Sequence, residues 1–229
     1  MRDFSKINVD DVLYTSHLGR YNLIEEWLKN LTEPITNYRI NPDYTIDVDQ
    51  SCYFYQKDFT NDKFPDFIQF NKINGDFYIS YCNLTSLKGC PKEVNGLFNC
   101  TANLLTTLID GPQCVHGGYY CGLNKLTSLK GSPENIGGDF CCIENQLTTL
   151  EGGPSRVDGY YLCHHNFLTS LEGGPTYVKG NFYCSYNSLL SLKGAPSQCN
   201  YFRSDTYSGK DYKEYINNLN KRSFTETFD

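Results

Sequence analysis

The chain has 229 residues, a net charge of −6, and 39% hydrophobic, 20% charged and 15% aromatic residues, which excludes a disordered or fibrous protein. Twenty Lys and Arg against 26 Asp and Glu argue against a cationic surface for nucleic-acid phosphates, and no apolar run approaches the roughly 20 residues of a membrane span. Nineteen Tyr, 19 Gly and 11 Cys beside a single Met point to a repeat.

The first residues, MRDFSKINVDDVLYTS, hold no apolar signal core, so the expected compartment is the cytoplasm. Residues 16–32 place Tyr21, Ile24, Leu28 and Leu31 at helical spacing, with Trp27 beside them. Ser16 suits the N-cap and Pro34 lies just past the end, so one amphipathic helix is expected. A turn signal at Asn41-Pro42-Asp43 and the alternation of Ile46 and Val48 with acids predict a hairpin-like strand pair packed on the first coil. Residues 1–74 read together as an N-terminal cap that ends in a degenerate edge coil. There Ile73 fits a repeat column, but Phe70 stands where proline is expected.

From Gly75 the chain becomes periodic. Prolines 91, 112, 133, 154, 175 and 196 are each 21 residues apart, and Leu84 and Leu87 begin two leucine columns with the same step. Residues 75–200 are six copies of G-x-[FY]-x-C-x-x-N-x-L-T-[ST]-L-x-G-x-P-x-x-V-x without an insertion. The aromatic column (Phe77, Phe98, Tyr119, Phe140, Tyr161, Phe182) and the Cys column (Ile79, Cys100, Cys121, Cys142, Cys163, Cys184) alternate with variable residues, which predicts a short strand with one buried face. Three residues further on, Asn103, Asn124, Asn145, Asn166 and Asn187 stand where the chain leaves the strand, placed to form a buried hydrogen-bonded ladder. In the first copy Ile79 replaces Cys and Cys82 replaces Asn, which weakens that end of the ladder. Beyond residue 200, Tyr212, Tyr215, Ile216 and Leu219 share one helical face. Residues 201–229 therefore read as a C-terminal cap helix and tail, with Phe224 and Phe228 as possible anchors.

The repeat resembles a leucine-rich repeat, with F-x-C-x-x-N-x-L-T-S-L in place of L-x-L-x-x-N-x-L. Its length and wording, as in GGDFCCIENQLTTLEGGP and GNFYCSYNSLLSLKGAP, are similar to the short leucine-rich repeats found in many tailed-phage and some bacterial genomes. The stretch YRINPDYTIDVDQSCYFYQKDFT resembles that group's N-terminal segment more loosely. The resemblance implies an α+β solenoid: a parallel β concave sheet, an extended or 3₁₀ convex side, a helical N-terminal cap and a short C-terminal helix. It implies no catalytic residue and no cofactor.

The chemistry-bearing residues read mainly as structural. The repeat cysteines recur at 21 and never as C-x-x-C, so they are expected to be free, buried thiols rather than disulfides or metal ligands. Cys141, in an outward strand position, is the thiol expected to react most readily. His164-His165 is the only histidine pair and lacks further ligands in sequence, so no metal site is expected. There is no H-E-x-x-H, P-loop or G-x-S-x-G motif, and the expectation is a protein without enzymatic activity.

Function then falls to the surface. The outward strand columns of the six copies contain no Lys or Arg and are rich in Tyr, a residue that offers apolar area and a hydroxyl at low entropic cost. The predicted role is a protein-interaction module that binds a partner on the concave face through Tyr78, Tyr120, Tyr160, Leu162, His164, His165, Phe167, Tyr183 and Tyr186. The competing reading is that these aromatics stack along the sheet and stabilise only the coils. If the chain is phage-encoded, a host factor or defence component is the expected partner. Two further readings stay open: a sponge for a small nucleotide-like ligand, and a structural component that self-associates through the solenoid ends. Binding to nucleic acid or membrane is not expected.

Overall fold

The computed structural model describes residues 17–225, with side chains over 18–218. It is a β-solenoid of stacked coils in which each of the first five regular coils contributes one short strand to each of two sheets, and the sixth adds a strand to one and an isolated bridge at Gln198 to the other. In the first sheet, here the aromatic sheet, β3 (Cys52–Tyr53), β5 (Phe77–Tyr78), β7 (Phe98–Asn99), β9 (Tyr119–Tyr120), β11 (Phe140–Cys141), β13 (Tyr161–Leu162), β15 (Asn181–Tyr183) and β16 (Tyr201–Arg203) lie in chain order. The second, here the valine sheet, follows the return arc: β4 (Phe70–Ile73), β6 (Glu93–Val94), β8 (Cys114–Val115), β10 (Asn135–Ile136), β12 (Arg156–Val157) and β14 (Tyr177–Val178). Of the two backbones expected for that arc, the extended one is present. The described 3₁₀ turn lies outside the repeats, at Gln56–Asp58.

The register follows the repeat. Phe98 pairs with Tyr119, Tyr119 with Phe140 and Phe140 with Tyr161, each 21 residues on. A glycine column forms the corner between the sheets because the backbones touch there. A Cβ on Gly117 would stand 2.5 Å from the Gly96 carbonyl oxygen, and Gly117 N–H donates to that same oxygen at 3.0 Å. A second column, five residues of which are glycine, needs left-handed backbone: Gly89, Gly131, Gly152, Gly173 and Gly194 all have φ between 77° and 102°, and Asp110 takes φ 69° in the remaining coil.

The interior is filled by the columns that the sequence marks. The aromatic, Cys and two Leu columns are at most 6% exposed. The ring column stacks from coil to coil at 5.0–6.0 Å between centroids. The asparagine ladder forms as expected. Asn145 Oδ1 accepts Leu126 N–H at 2.9 Å, while its Nδ2 donates to the carbonyls of Cys121 and Cys142 at 3.1 and 3.2 Å. In the first copy, Asn103 Oδ1 accepts the N–H groups of Cys82 and Leu84, and the Cys82 thiol donates to Ser80 and Phe54 carbonyls. A thiol thus substitutes for part of the missing amide.

The caps match their expected types. α1 (His17–Asn30) buries Leu23, Ile24, Trp27 and Leu28, and Leu31 follows it into the core; the proposed cap Ser16 lies outside the described residues. The hairpin is β1 (Tyr38–Ile40) paired antiparallel with β2 (Ile46–Val48), and β2 runs parallel to β4, extending the valine sheet to eight strands. At the other end α2 (Gly209–Thr225) sets Tyr212 on Phe202, with Tyr215 and Ile216 half-buried. The side chains of Leu219, Phe224 and Phe228 lie outside the described ones. The segment taken as cap and tail also contributes a seventh strand in line with the repeats, β16, which the periodic alignment misses because the step from Phe182 to Phe202 is 20 residues instead of 21.

Candidate functional site

The outer face of the aromatic sheet is built from positions that alternate with the buried rings and thiols. Tyr78, Tyr120, Leu162 and Tyr183 stand half-buried between ring and thiol, and Tyr160 stands 47% exposed before its ring. Where each chain leaves the strand, a non-glycine residue adopts left-handed backbone: Tyr81, Ala102, Leu123, Glu144, His165 and Tyr186, with φ between 51° and 57°. This conformation costs on the order of 1–2 kcal/mol per residue. It is held by the next coil, as when His165 N–H donates to the Ser185 carbonyl at 3.1 Å. The bend leaves Tyr81 and Tyr186 at 70% and 64% exposure.

The nine candidate residues do not form one patch. Tyr78 stacks on Tyr53 at 5.0 Å, at the N-terminal end of the face. Tyr120 folds over Gly118, where a Cβ would stand 2.5 Å from its ring, and its hydroxyl donates to Asp139 Oδ2 at 3.1 Å. Burial and the Asp139 carboxylate push the Tyr120 phenol up to about 12. Tyr160 lies against Gly180 and meets Tyr183 edge-on at 6.4 Å. Stacking within the sheet thus accounts for part of the tyrosine content.

The C-terminal end is different. Leu162, His164, His165, Tyr183 and Tyr186 line one open groove of about 330 Å³, together with Ser185 and Arg203. His165 stacks on Tyr186 at 4.2 Å, and the Nδ1 atoms of His164 and His165 are 2.8 Å apart, so one carries the shared proton. Burial, then the neighbouring imidazole, holds His164 below the ordinary histidine range, and Glu144 opposes that shift in part. Phe167 was expected in this cluster; it stands 60% exposed but does not line the groove. Its place one residue past the ladder Asn166 carries it beyond the turn.

Arg203 and Ser185 were not among the expected site residues. Ser185 belongs to an outward column legible in the sequence, yet a lone serine gives no signal. Arg203 is hidden by the 20-residue step, which removes β16 from the periodic alignment. It adds a cation beside the outward columns of the six copies, which themselves hold none.

Cys141 is also corrected. It is 6% exposed and burial raises its thiol, so it is not a reactive site; the exposed thiol is Cys114 on the valine sheet, 3.5 Å from His116 Nε2. All eleven cysteines are free, and among the described residues no cluster of three or more His, Cys, Asp or Glu side chains is arranged to hold a metal. Among the described residues no helix is long and apolar enough to cross a membrane. No protein family, curated protein or solved structure gives a significant match to the chain.

Proposed function

We propose that the chain is a non-enzymatic recognition module, a short leucine-rich-repeat solenoid that binds a partner protein on the outer face of its aromatic sheet. The observation that carries this reading is the C-terminal groove. There strained backbone at His165 and Tyr186 holds rings at 64% exposure for Tyr186, an arrangement that serves contact rather than core packing. Exposed, pre-positioned aromatics are the usual anchors of protein interfaces. The Ser185 hydroxyl has no imidazole hydrogen-bonded to it, so the groove lacks an activated nucleophile. The free, buried thiols fit a reducing compartment and hence a cytoplasmic site of action. Given the resemblance of the repeat to phage-borne leucine-rich repeats, a host or host-defence protein is the partner class we favour.

The test compares the native protein with Tyr160→Ala/Tyr183→Ala/Tyr186→Ala, both shown folded by circular dichroism. Each is used to capture proteins from host-cell lysate, and the captured protein is then purified and titrated directly. Saturable binding that the triple variant loses supports the reading. Equal titration by both proteins, or no saturable binding, removes it. Saturable binding of a free nucleotide in a parallel titration replaces it with the small-ligand alternative.

A further inference from the structure

The groove carries a chemistry that the rest of the face lacks. Over the six regular coils the flanking outward column holds carboxylates at Asp76 and Asp139, and both are engaged by backbone: Asp76 Oδ1 accepts Leu97 N–H and Asp139 Oδ1 accepts Tyr160 N–H, each at 2.8 Å. Arg203 arrives with the seventh strand as the cation of this face. Among the described residues its guanidinium makes no ion pair, hydrogen bond or ring contact, although the chain as a whole is acidic. One oxygen of the neighbouring Asp205 carboxylate accepts the Tyr186 N–H.

Ser185 supplies the second observation. The residue is 8% exposed and its hydroxyl has no hydrogen-bond partner, while it lines the same groove as Arg203. A buried hydroxyl left unpaired is costly, and the cost is recovered when an acceptor enters. The guanidinium calls for a negatively charged oxygen acceptor and the hydroxyl for any acceptor, so a single carboxylate answers both.

We propose that this groove receives one carboxylate side chain, a glutamate or aspartate of the partner protein, with Arg203 as its counter-ion and Ser185 as a second donor. The proposal rests on the partner-binding reading above and names the chemistry of its anchor. A guanidinium presents two parallel N–H groups that match the two oxygens of a carboxylate. A phosphate would call for further cations or a cradle of backbone N–H groups, and the groove adds only an imidazole pair whose His164 member is held toward the neutral form. Leu162, Tyr183 and Tyr186 cover the apolar stem of the entering side chain.

The experiment pans a display library of random 12-residue peptides on the whole protein. Survivors are then titrated against native protein, Arg203→Gln, Ser185→Ala and the triple tyrosine variant, each checked for an unchanged melting temperature. The expected result is an acid beside an apolar or aromatic residue in the survivors. Replacing that acid by its amide, or Arg203 by Gln, should then weaken binding at least about tenfold, with a smaller loss for Ser185→Ala. Survivors that need the tyrosines but bind Arg203→Gln as tightly as native leave the aromatic face standing and overturn the carboxylate anchor. Tighter binding when phosphoserine replaces the acid also overturns it, in favour of a phosphate site. A library with no survivor, or with survivors indifferent to all variants, overturns both readings.

Discussion

The two ends of the solenoid close in different ways. At the N-terminal end, Trp27 of α1 meets Phe54, Phe64 and Phe70 with centroids 6.1–6.4 Å away, and Phe54 and Phe70 continue that cluster onto Phe77 of the first regular coil. Asp58 ties the helix exit to the 3₁₀ turn by accepting the N–H groups of Thr32 and Tyr55. At the C-terminal end one ring, Tyr212, stacks on Phe202 at 4.7 Å, and an open cavity of about 470 Å³ remains between α2 and the last coil. The end with the dense aromatic cluster carries little unpaired polar chemistry on the outer sheet face; the sparsely anchored end carries the groove. Packing is concentrated where the stack begins and the open groove lies where it stops, as is common when a binding surface draws on the less stable part of a fold.

The largest effect that tests this contrast is at the two cap rings. Trp27→Ala should cost about 3–5 kcal/mol, the usual range for a buried large aromatic. Tyr212→Ala should cost about 2 kcal/mol, because the cavity beside it already lacks packing partners. Urea unfolding of both variants measures the difference, and equal losses would erase the distinction between the ends.

The ladder sharpens it next. Asn145→Ala leaves the buried Leu126 N–H without its acceptor and takes one of two asparagine donors from each of the Cys121 and Cys142 carbonyls, which keep Asn124 and Asn166, and should cost about 2 kcal/mol. Asn187→Ala, at the half-buried end of the ladder, should cost about 1 kcal/mol by the same measurement.

Two phenols should respond with opposite signs. The Tyr119 hydroxyl is buried without a hydrogen-bond partner, so Tyr119→Phe should raise stability by up to about 1 kcal/mol. Tyr212 donates to the Pro196 carbonyl at 2.8 Å, so Tyr212→Phe should lower it by about 1 kcal/mol. Thermal melting of the two variants reads both signs.

The smallest effect is a pH dependence at the groove. Because the His164 pKa is lowered in the folded protein, the unfolded chain takes up that proton first as pH falls. Stability is unaffected above the ordinary histidine range and declines as pH drops through it toward the folded pKa. His164→Gln should flatten that decline in a series of urea midpoints, and the imidazole C–H resonances of the native protein should show a midpoint below the ordinary histidine value.

Much of the solenoid is legible in the sequence because one step of 21 residues repeats without an insertion, and each column has a single physical duty. The hairpin is legible too, from Asn41-Pro42-Asp43 and the alternation at Ile46 and Val48. The valine sheet is not, since strands such as Glu93–Val94 are too short to show alternation. The seventh strand is hidden by one missing residue before Phe202, and Arg203 with it. The left-handed bends at His165 and Tyr186 carry no glycine or asparagine to announce them; the stacked neighbour coil imposes that conformation. Five of the nine expected face residues converge on the groove, whereas Tyr78 and Tyr120 are occupied by Tyr53 and Asp139, contacts that depend on which coil sits next door.

The unbroken register turns chain position into height. Each coil advances the sheet by one strand spacing, about 4.8 Å. Asp139 precedes β11 and Arg203 ends β16, three pairings away, so about 14 Å of stack separates the acid from the base. Copying or removing one 21-residue unit between them would change that separation by a single whole step, while each core side chain would meet an equivalent neighbour. The molecule is in this sense a ruler with a fixed graduation: the gap between its acidic and basic marks can be reset in integer steps, and a partner cut to one setting would be out of register at the next.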